Sequence, residues 1–286
     1  MSEYQEAAGP GITQCRICPH DCRIPEGKKG ICGARSNQAG RIIDDNYGVI
    51  TSIALDPIEK KPLHRFCPGS MILSVGSYGC NFRCPFCQNH SISMVHEQKG
   101  YQRITPEELA DHAEALRSRG NIGLAYTYNE PLIGFEFVRD CSKLIRERGM
   151  KNVAVTNGYI NQAPLLELLP TLDAMNVDMK SFNPDFYRKI GGDLEAVKAT
   201  IATAVHSGTC HVEVTTLVVP GENDSREEMK ALASWLASLD PAIPLHISRF
   251  HPAYRMMDKP QTPKETILSL ADLARDSLSF VYPGNI

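Results

Sequence analysis

The stretch Val75-Gly-Ser-Tyr-Gly-Cys80-Asn-Phe-Arg-Cys84-Pro-Phe-Cys87-Gln-Asn-His-Ser-Ile-Ser93 decides how the rest of the chain is read, and its decisive residues are Cys80, Cys84 and Cys87. Three thiols spaced x3 then x2 on one short loop point to an iron–sulfur site rather than to disulfides. A 4Fe-4S cubane held by three cysteines has one iron without a protein ligand, open to a small chelating molecule. An open iron implies chemistry rather than electron storage. The competing reading of the same residues is a zinc knuckle built by Cys84 and Cys87 with ligands from elsewhere.

Around the thiols, Pro85 fixes the backbone between Cys84 and Cys87, and Gly79 lets the loop turn tightly off the apolar run Met71 to Val75. Further apolar runs follow at 122–128, 153–156, 174–179, 212–219 and 243–247. Helical segments separate them. Thr105-Pro-Glu-Glu108, Ser225-Arg-Glu-Glu228 and Thr262-Pro-Lys-Glu265 each read as a capping box, two with Pro at the first helical position. Gly120 and Gly149 stand where C-terminal caps are expected. Met229, Leu232, Leu236 and Leu239 recur at helical spacing and predict one buried face. Six strand–helix units without hairpin signals imply an α/β fold with a parallel sheet, which an incomplete (β/α)6 barrel of the TIM type accommodates. In such barrels the working residues gather at the C-terminal ends of the strands. Those ends here carry Tyr126-Thr-Tyr-Asn129-Glu130-Pro131, Thr156-Asn157-Gly158, Asn176-Val-Asp178-Met-Lys180, Val218-Val-Pro-Gly-Glu-Asn-Asp224 and His246-Ile-Ser-Arg-Phe-His251-Pro252.

A second cysteine group precedes the barrel: Cys15-Arg-Ile-Cys18-Pro-His-Asp-Cys22, then Cys32 between Ile31 and Gly33. Four thiols on short loops could enclose a structural zinc or an auxiliary iron–sulfur cluster, and the spacing does not separate the two. His20 reads as a surface residue rather than a substitute ligand. The stretch 41–55 reads as irregular and strand-like, and the proline-rich segment from Asp56 to Gly69 as a wrapping loop, with Lys60, Lys61 and His64 either lining the mouth of the site or, as expected here, on a solvated connection. Cys141, Cys210 and His211 sit in apolar stretches and are expected to pack. The chain divides into a Cys-rich N-terminal extension with its wrapping loop, 1–70, and a barrel, 71–286.

The bulk properties narrow the classes. A chain of 286 residues with 42% hydrophobic content is long enough for one barrel and a small appendage. No apolar run approaches the ~20 residues of a membrane span, and the polar N-terminus lacks a leader's apolar core, so a cytoplasmic protein off the membrane is expected. A net charge of -3 with isolated Lys28-Lys29 and Lys60-Lys61 pairs argues against a protein built mainly to grip nucleic acid. Ten cysteines in a reducing compartment indicate metal binding.

The thiol loop, with Phe86 ahead of the third cysteine, resembles the signature of the radical S-adenosylmethionine (SAM) superfamily. That resemblance implies a 4Fe-4S cluster on Cys80, Cys84 and Cys87, Phe86 beside its open iron, and SAM chelating that iron through its amino and carboxylate groups. An electron from the cluster would break the sulfonium bond and give a 5'-deoxyadenosyl radical that abstracts hydrogen. Glu130 falls where the superfamily has an acidic acceptor for the SAM amino group, with Tyr128 and Asn129 replacing two glycines. The Thr156-Asn157-Gly and Asp178-Met-Lys180 blocks resemble those of activating enzymes for glycyl-radical enzymes such as pyruvate formate-lyase. In that group they hold the SAM carboxylate and ribose, partly through a monovalent cation. Asp178 would supply charge to the cation and Thr156 and Asn176 neutral oxygens, with Val155 in place of another acid. Lys180 either joins this set or simply pairs with Asp178. His251 falls where a histidine lies near SAM.

Asp56-Pro-Ile-Glu-Lys-Lys-Pro, Phe86-Cys-Gln-Asn, Tyr-Thr-Tyr-Asn-Glu130-Pro and Val281-Tyr-Pro-Gly-Asn, together with the N-terminal cysteines, extend the likeness over nearly the whole chain. They resemble the radical SAM component of the AmmeMemoRadiSam system. This implies Memo-like and AMMECR-type proteins as partners and an electron donor such as flavodoxin or ferredoxin. The expected function is reductive cleavage of SAM to activate or modify a partner protein. Modification of RNA or a small molecule, and a non-catalytic electron-transfer or metal-binding protein, are the alternatives.

Overall fold

A computed structural model describes residues 3–96 and 101–286. Its centre is an eight-stranded sheet: β1 Ser52–Pro57, β2 Met71–Gly76, β3 Asn121–Tyr126, β4 Lys151–Thr156, β5 Ala174–Asp178, β6 His211–Val218, β7 Leu245–Arg249 and β8 Val281–Gly284, hydrogen-bonded in that order. From β2 to β8 every neighbouring pair is parallel; β1 runs antiparallel to β2. All but the first residue of β2 are buried, as expected of a parallel strand covered on both faces. The edges β1 and β8 do not pair with each other among the described residues, so the sheet stays a partial barrel.

The six apolar runs are β2 to β7, and the parallel register lines up Val75 with Tyr126, Thr156 with Val177 and Asp178 with Thr215. The polar C-terminal ends thus face one rim. One sheet strand was legible only as part of the strand-like stretch 41–55, and another escaped the sequence reading. Ser52–Pro57, on the N-terminal side of the boundary drawn at residue 70, is a sheet strand, and Val281–Gly284 adds a seventh parallel strand despite Pro283 and Gly284. An edge strand has one unpaired side, so it tolerates proline and short length.

Helices α1 Pro106–Ala115, α2 Phe135–Glu147, α3 Gln162–Leu168, α4 Pro184–Ile190, α5 Leu194–Ser207, α6 Arg226–Leu239 and α7 Lys264–Arg275 intervene. The capping box at Thr105 is complete, with Pro106 in the first turn. At α6 only half forms: Ser225 accepts the Glu228 amide, but the Glu228 carboxylate accepts from Ser181 Oγ and the Phe182 amide instead. The third box is absent. The Thr262 hydroxyl donates to the Val218 carbonyl and accepts from the Phe250 amide, and Pro263 rather than Thr262 caps α7. A buried carbonyl at the end of β6 outcompetes the helix for that hydroxyl. On α6, Met229, Leu232 and Leu236 are buried as expected, and Leu239 is half-buried.

Ahead of β1 lie a three-stranded antiparallel sheet, Gln5–Ala7, Ile12–Cys15 and Arg23–Pro25, and a hairpin of Arg35–Gln38 with Arg41–Asp44. The extension is pinned to the barrel by Arg35. This residue is 1% exposed and forms a two-point ion pair with Glu136 on α2, at 2.8 and 2.7 Å.

The segment after β1 departs from the solvated connection expected of it. His64 and Arg65 donate their amides to the carboxylate of Glu213, and the Pro62 carbonyl accepts from Asn176 Nδ2 at 2.8 Å. His211 and His246 contact the same carboxylate at 2.9 and 2.6 Å. Because β6 and β7 begin near these histidines, residues 62–65 lie across the N-terminal floor of the barrel. Burial alone would raise the Glu213 pKa, but the hydrogen bonds from His211, His246, Arg65 and His64 outweigh it and hold the carboxyl at about 2.

Candidate functional site

On the opposite rim, a cavity of about 360 Å³ is lined by Cys80, Cys84 and Cys87 together with Glu130, Asp178 and Lys180. The rest of the thiol loop is held from several sides. The Phe82 amide donates to Cys80 Sγ at 3.4 Å, and Cys87 Sγ accepts from the Asn89 amide two residues on. Asn157 Nδ2 lies 3.8 Å from Cys80 Sγ and 2.8 Å from Asn81 Oδ1, and Asn81 Nδ2 donates to the Tyr159 carbonyl. Burial pushes all three thiols up, Cys84 to about 12, so in the metal-free chain they stay protonated.

Glu130, 3% exposed, is the organising carboxylate. Its Oε1 accepts from Thr156 Oγ1 at 2.7 Å and the Leu132 amide at 3.0 Å, and its Oε2 from the Asn157 amide at 2.7 Å. Burial raises its pKa to about 7, although those three hydrogen bonds pull the other way. Asn129 is a brace: its Nδ2 donates to the Gly79 carbonyl at 3.1 Å and its Oδ1 accepts from the Ser77 amide at 2.9 Å. Lys180 Nζ pairs with Asp178 at 2.7 Å while lining the cavity, so both readings of that lysine hold geometrically. Burial would lower the Lys180 pKa, but the Asp178 carboxylate overcomes it and the group is raised.

Tyr128 replaces a glycine of the expected motif and sits at φ 72°, a backbone conformation unfavourable for a bulky residue. Its hydroxyl donates to Asp56 Oδ2 at 2.8 Å, and Lys61 Nζ stands 4.9 Å from its ring centroid. Lys61 itself is 3% exposed and paired with Asp56 at 2.8 Å. Lys60 and Lys61 both line the cavity, the alternative to the solvated connection expected of them. Asn285 and Ser248 line it as well and were not singled out.

Other expected residues lie elsewhere. His251 is exposed, contacts Gln261, and is not part of the cavity lining. Asn176, fully buried, spends its oxygen on Thr215 and its nitrogen on the floor segment, while the Thr156 hydroxyl is used by Glu130. Of the proposed cation set, Asp178 and Thr156 line the cavity, the Thr156 hydroxyl already donating to Glu130, and Asn176 does not line it. His20 is no plain surface residue: its Nε2 contacts the Asn81 carbonyl at 2.8 Å and its ring meets Tyr159 edge-on. Phe86 is buried, packs on Phe186 and lines the cavity. Cys141 and Cys210 are buried in the core.

The donor set suits a polynuclear iron–sulfur cluster. Three thiols share one roomy cavity, with amides facing sulfur, as such clusters require. Among the described residues no three His, Cys, Asp or Glu side chains converge closely enough to hold a single metal ion. A mostly parallel partial barrel with its thiol loop after the first parallel strand is the architecture of radical SAM proteins.

Comparison with known proteins agrees. The family model "Radical SAM superfamily" matches residues 74–234. An uncharacterized protein of Methanocaldococcus jannaschii is 43% identical over 287 residues, covering 99% of this chain and 84% of that one. The pyruvate formate-lyase-activating enzyme of Clostridium pasteurianum is 26% identical over 176 residues, covering 60% of this chain and 72% of its own length. Among solved structures, a radical SAM methyltransferase from Sphaerobacter thermophilus matches with a TM-score of 0.58 at 17% identity, over 76% of this chain and 67% of that one; this likeness bears on fold alone. The chain belongs to the radical SAM superfamily. No helix among the described residues is long and apolar enough to cross a membrane.

Proposed function

We propose that the chain cleaves SAM reductively and directs the 5'-deoxyadenosyl radical at a hydrogen of a partner protein, as glycyl-radical activases do. The observation that carries this reading is a single cavity lined at once by the three loop thiols, two carboxylates and a buried lysine. Cys80, Cys84 and Cys87 would hold the 4Fe-4S cluster, which when bound supplies an electron at low potential. Glu130, fixed by Thr156, Leu132 and Asn157, offers its carboxylate to the SAM ammonium, and Lys180 with Asp178 flanks the same space. Phe86, Phe82 and the barrel floor keep water from the reacting end.

Within this reading the chain is the radical SAM component of an AmmeMemoRadiSam system, working with Memo-like and AMMECR-type proteins and reduced by a flavodoxin or ferredoxin. A second reading, radical chemistry on a small molecule, draws on the size of the cavity, within the ~300–1,000 Å³ of small-ligand sites, and on Lys60 and Lys61 at its wall.

Protein reconstituted anaerobically with iron and sulfide, given dithionite and SAM, is expected to release 5'-deoxyadenosine and methionine, and Cys84→Ala protein to release neither. Absence of both products from protein with a proven cluster would sink the reading. A glycyl-type radical signal on an added partner protein separates activation from small-molecule chemistry. Mass shifts in nucleosides from a deletion strain would instead point to RNA.

A further inference from the structure

The N-terminal cysteines surround a second cavity, walled by Cys15, Cys18, Cys22 and Cys32 with Ile17, Ile24 and Ile133. The three isoleucines are 1–2% exposed, so the chamber is apolar apart from sulfur and two side chains that also line it, His20, whose Nε2 is taken by the Asn81 carbonyl, and Arg35. Arg35 is 1% exposed, and while its two terminal nitrogens are taken by Glu136 and the Ile133 carbonyl, its Nε has no hydrogen-bond partner among the described residues. A buried N–H without an acceptor is costly unless something in the chamber accepts from it.

The chamber is small. It admits a water-sized sphere with about 10 Å³ of free play for its centre. The thiols ring a space instead of converging on a point, in line with the lack of a single-ion site among the described residues. The loop repeats the pattern seen at the barrel rim: the amides of Ile17, His20 and Ala34 face Cys15, Cys18 and Cys32 two residues back, as the amide of Phe82 faces Cys80. Amides aimed at sulfur are what iron–sulfur thiolates use to spread their charge.

We infer that Cys15, Cys18, Cys22 and Cys32 hold a second iron–sulfur cluster of the 4Fe-4S type, fully ligated by protein, with Arg35 Nε–H donating to one of its sulfurs. Four protein ligands leave no iron for SAM, so this site is redox-active or structural but not a second place of SAM cleavage. It does not depend on the radical chemistry proposed above.

The test is a metal and sulfide count on protein purified anaerobically, with zinc measured alongside iron. Unaltered protein is expected to carry about eight iron and eight sulfide per chain, two cubanes. The variant Cys80→Ala/Cys84→Ala/Cys87→Ala is expected to keep about half of each. Its reduced cluster should give an electron paramagnetic resonance signal that SAM leaves unchanged. Adding Cys15→Ala and Cys18→Ala should remove the remaining iron. One zinc per chain with no iron left in the triple variant, or no metal there at all, would overturn the inference; the count on unaltered protein decides the matter even if a variant fails to fold. Failure of SAM cleavage would leave these counts untouched, so the two readings fail separately.

Discussion

The amide of Cys80 donates a hydrogen bond to the carbonyl of Cys32 at 3.2 Å, so the first thiol of the barrel loop and the last thiol of the N-terminal group share a peptide contact. Gly79 makes that approach possible. It sits at φ 88°, and a Cβ there would stand 2.6 Å from the Cys32 oxygen and 3.1 Å from Ala34 Cβ.

Gly79→Ala is therefore expected to separate the two cysteine groups. Left-handed backbone strain and the carbonyl clash together should cost about 1–3 kcal/mol, read as a lower midpoint in anaerobic chemical denaturation. Iron bound per chain should fall as well. Unchanged stability and iron content would show that the contact is dispensable.

Glu136→Gln tests the anchor of the N-terminal extension. Removing one charge of a buried pair leaves Arg35 uncompensated, a loss of about 3–5 kcal/mol. Urea unfolding should reveal it, and limited proteolysis should cut the extension before the barrel.

Glu213 gives a signed pH dependence. Its folded pKa of about 2 lies below the ordinary carboxylate value of 4.5, so the unfolded chain binds more protons between the two. Its contribution to stability is complete above pH 4.5 and is lost as pH falls toward 2, about 3 kcal/mol in all. Glu213→Gln protein should be less stable at neutral pH and show a flatter acid limb in denaturation measured from pH 5 to pH 2.

Glu130→Gln should weaken SAM binding roughly 10- to 100-fold, the cost of losing a charged hydrogen bond in a buried site. Equilibrium dialysis of the cluster-loaded protein measures it. Iron content should stay near that of the unaltered protein, since Glu130 is not among the thiols.

What the sequence discloses is what depends on spacing along the chain. Cys80, Cys84, Cys87 and Phe86 fall within one loop, and Glu130 follows one strand, so their convergence on a single cavity was readable. The six buried strands were readable from unbroken apolar runs. Ser52–Pro57 was legible only as part of an irregular strand-like stretch, because its residues are only partly buried or exposed, with Ile53 at 46%, and it lies at an edge where no alternation is imposed. His251 misled because a loop after β7 can point either way, and here it turns outward to Gln261. Lys61 looked like surface charge; its burial comes from Asp56 and Tyr128, the latter more than 60 residues away, which no local pattern encodes. Thr262 kept the letter of a capping box but found a better acceptor in Val218, a choice set by tertiary structure.

The stopper formed by residues 62–65 on Glu213 also sets the order of traffic through the lumen. With that end covered, the cavity opens on the rim that carries the thiol loop. In the proposed reaction, whatever docks last at that rim would stand over what entered before it.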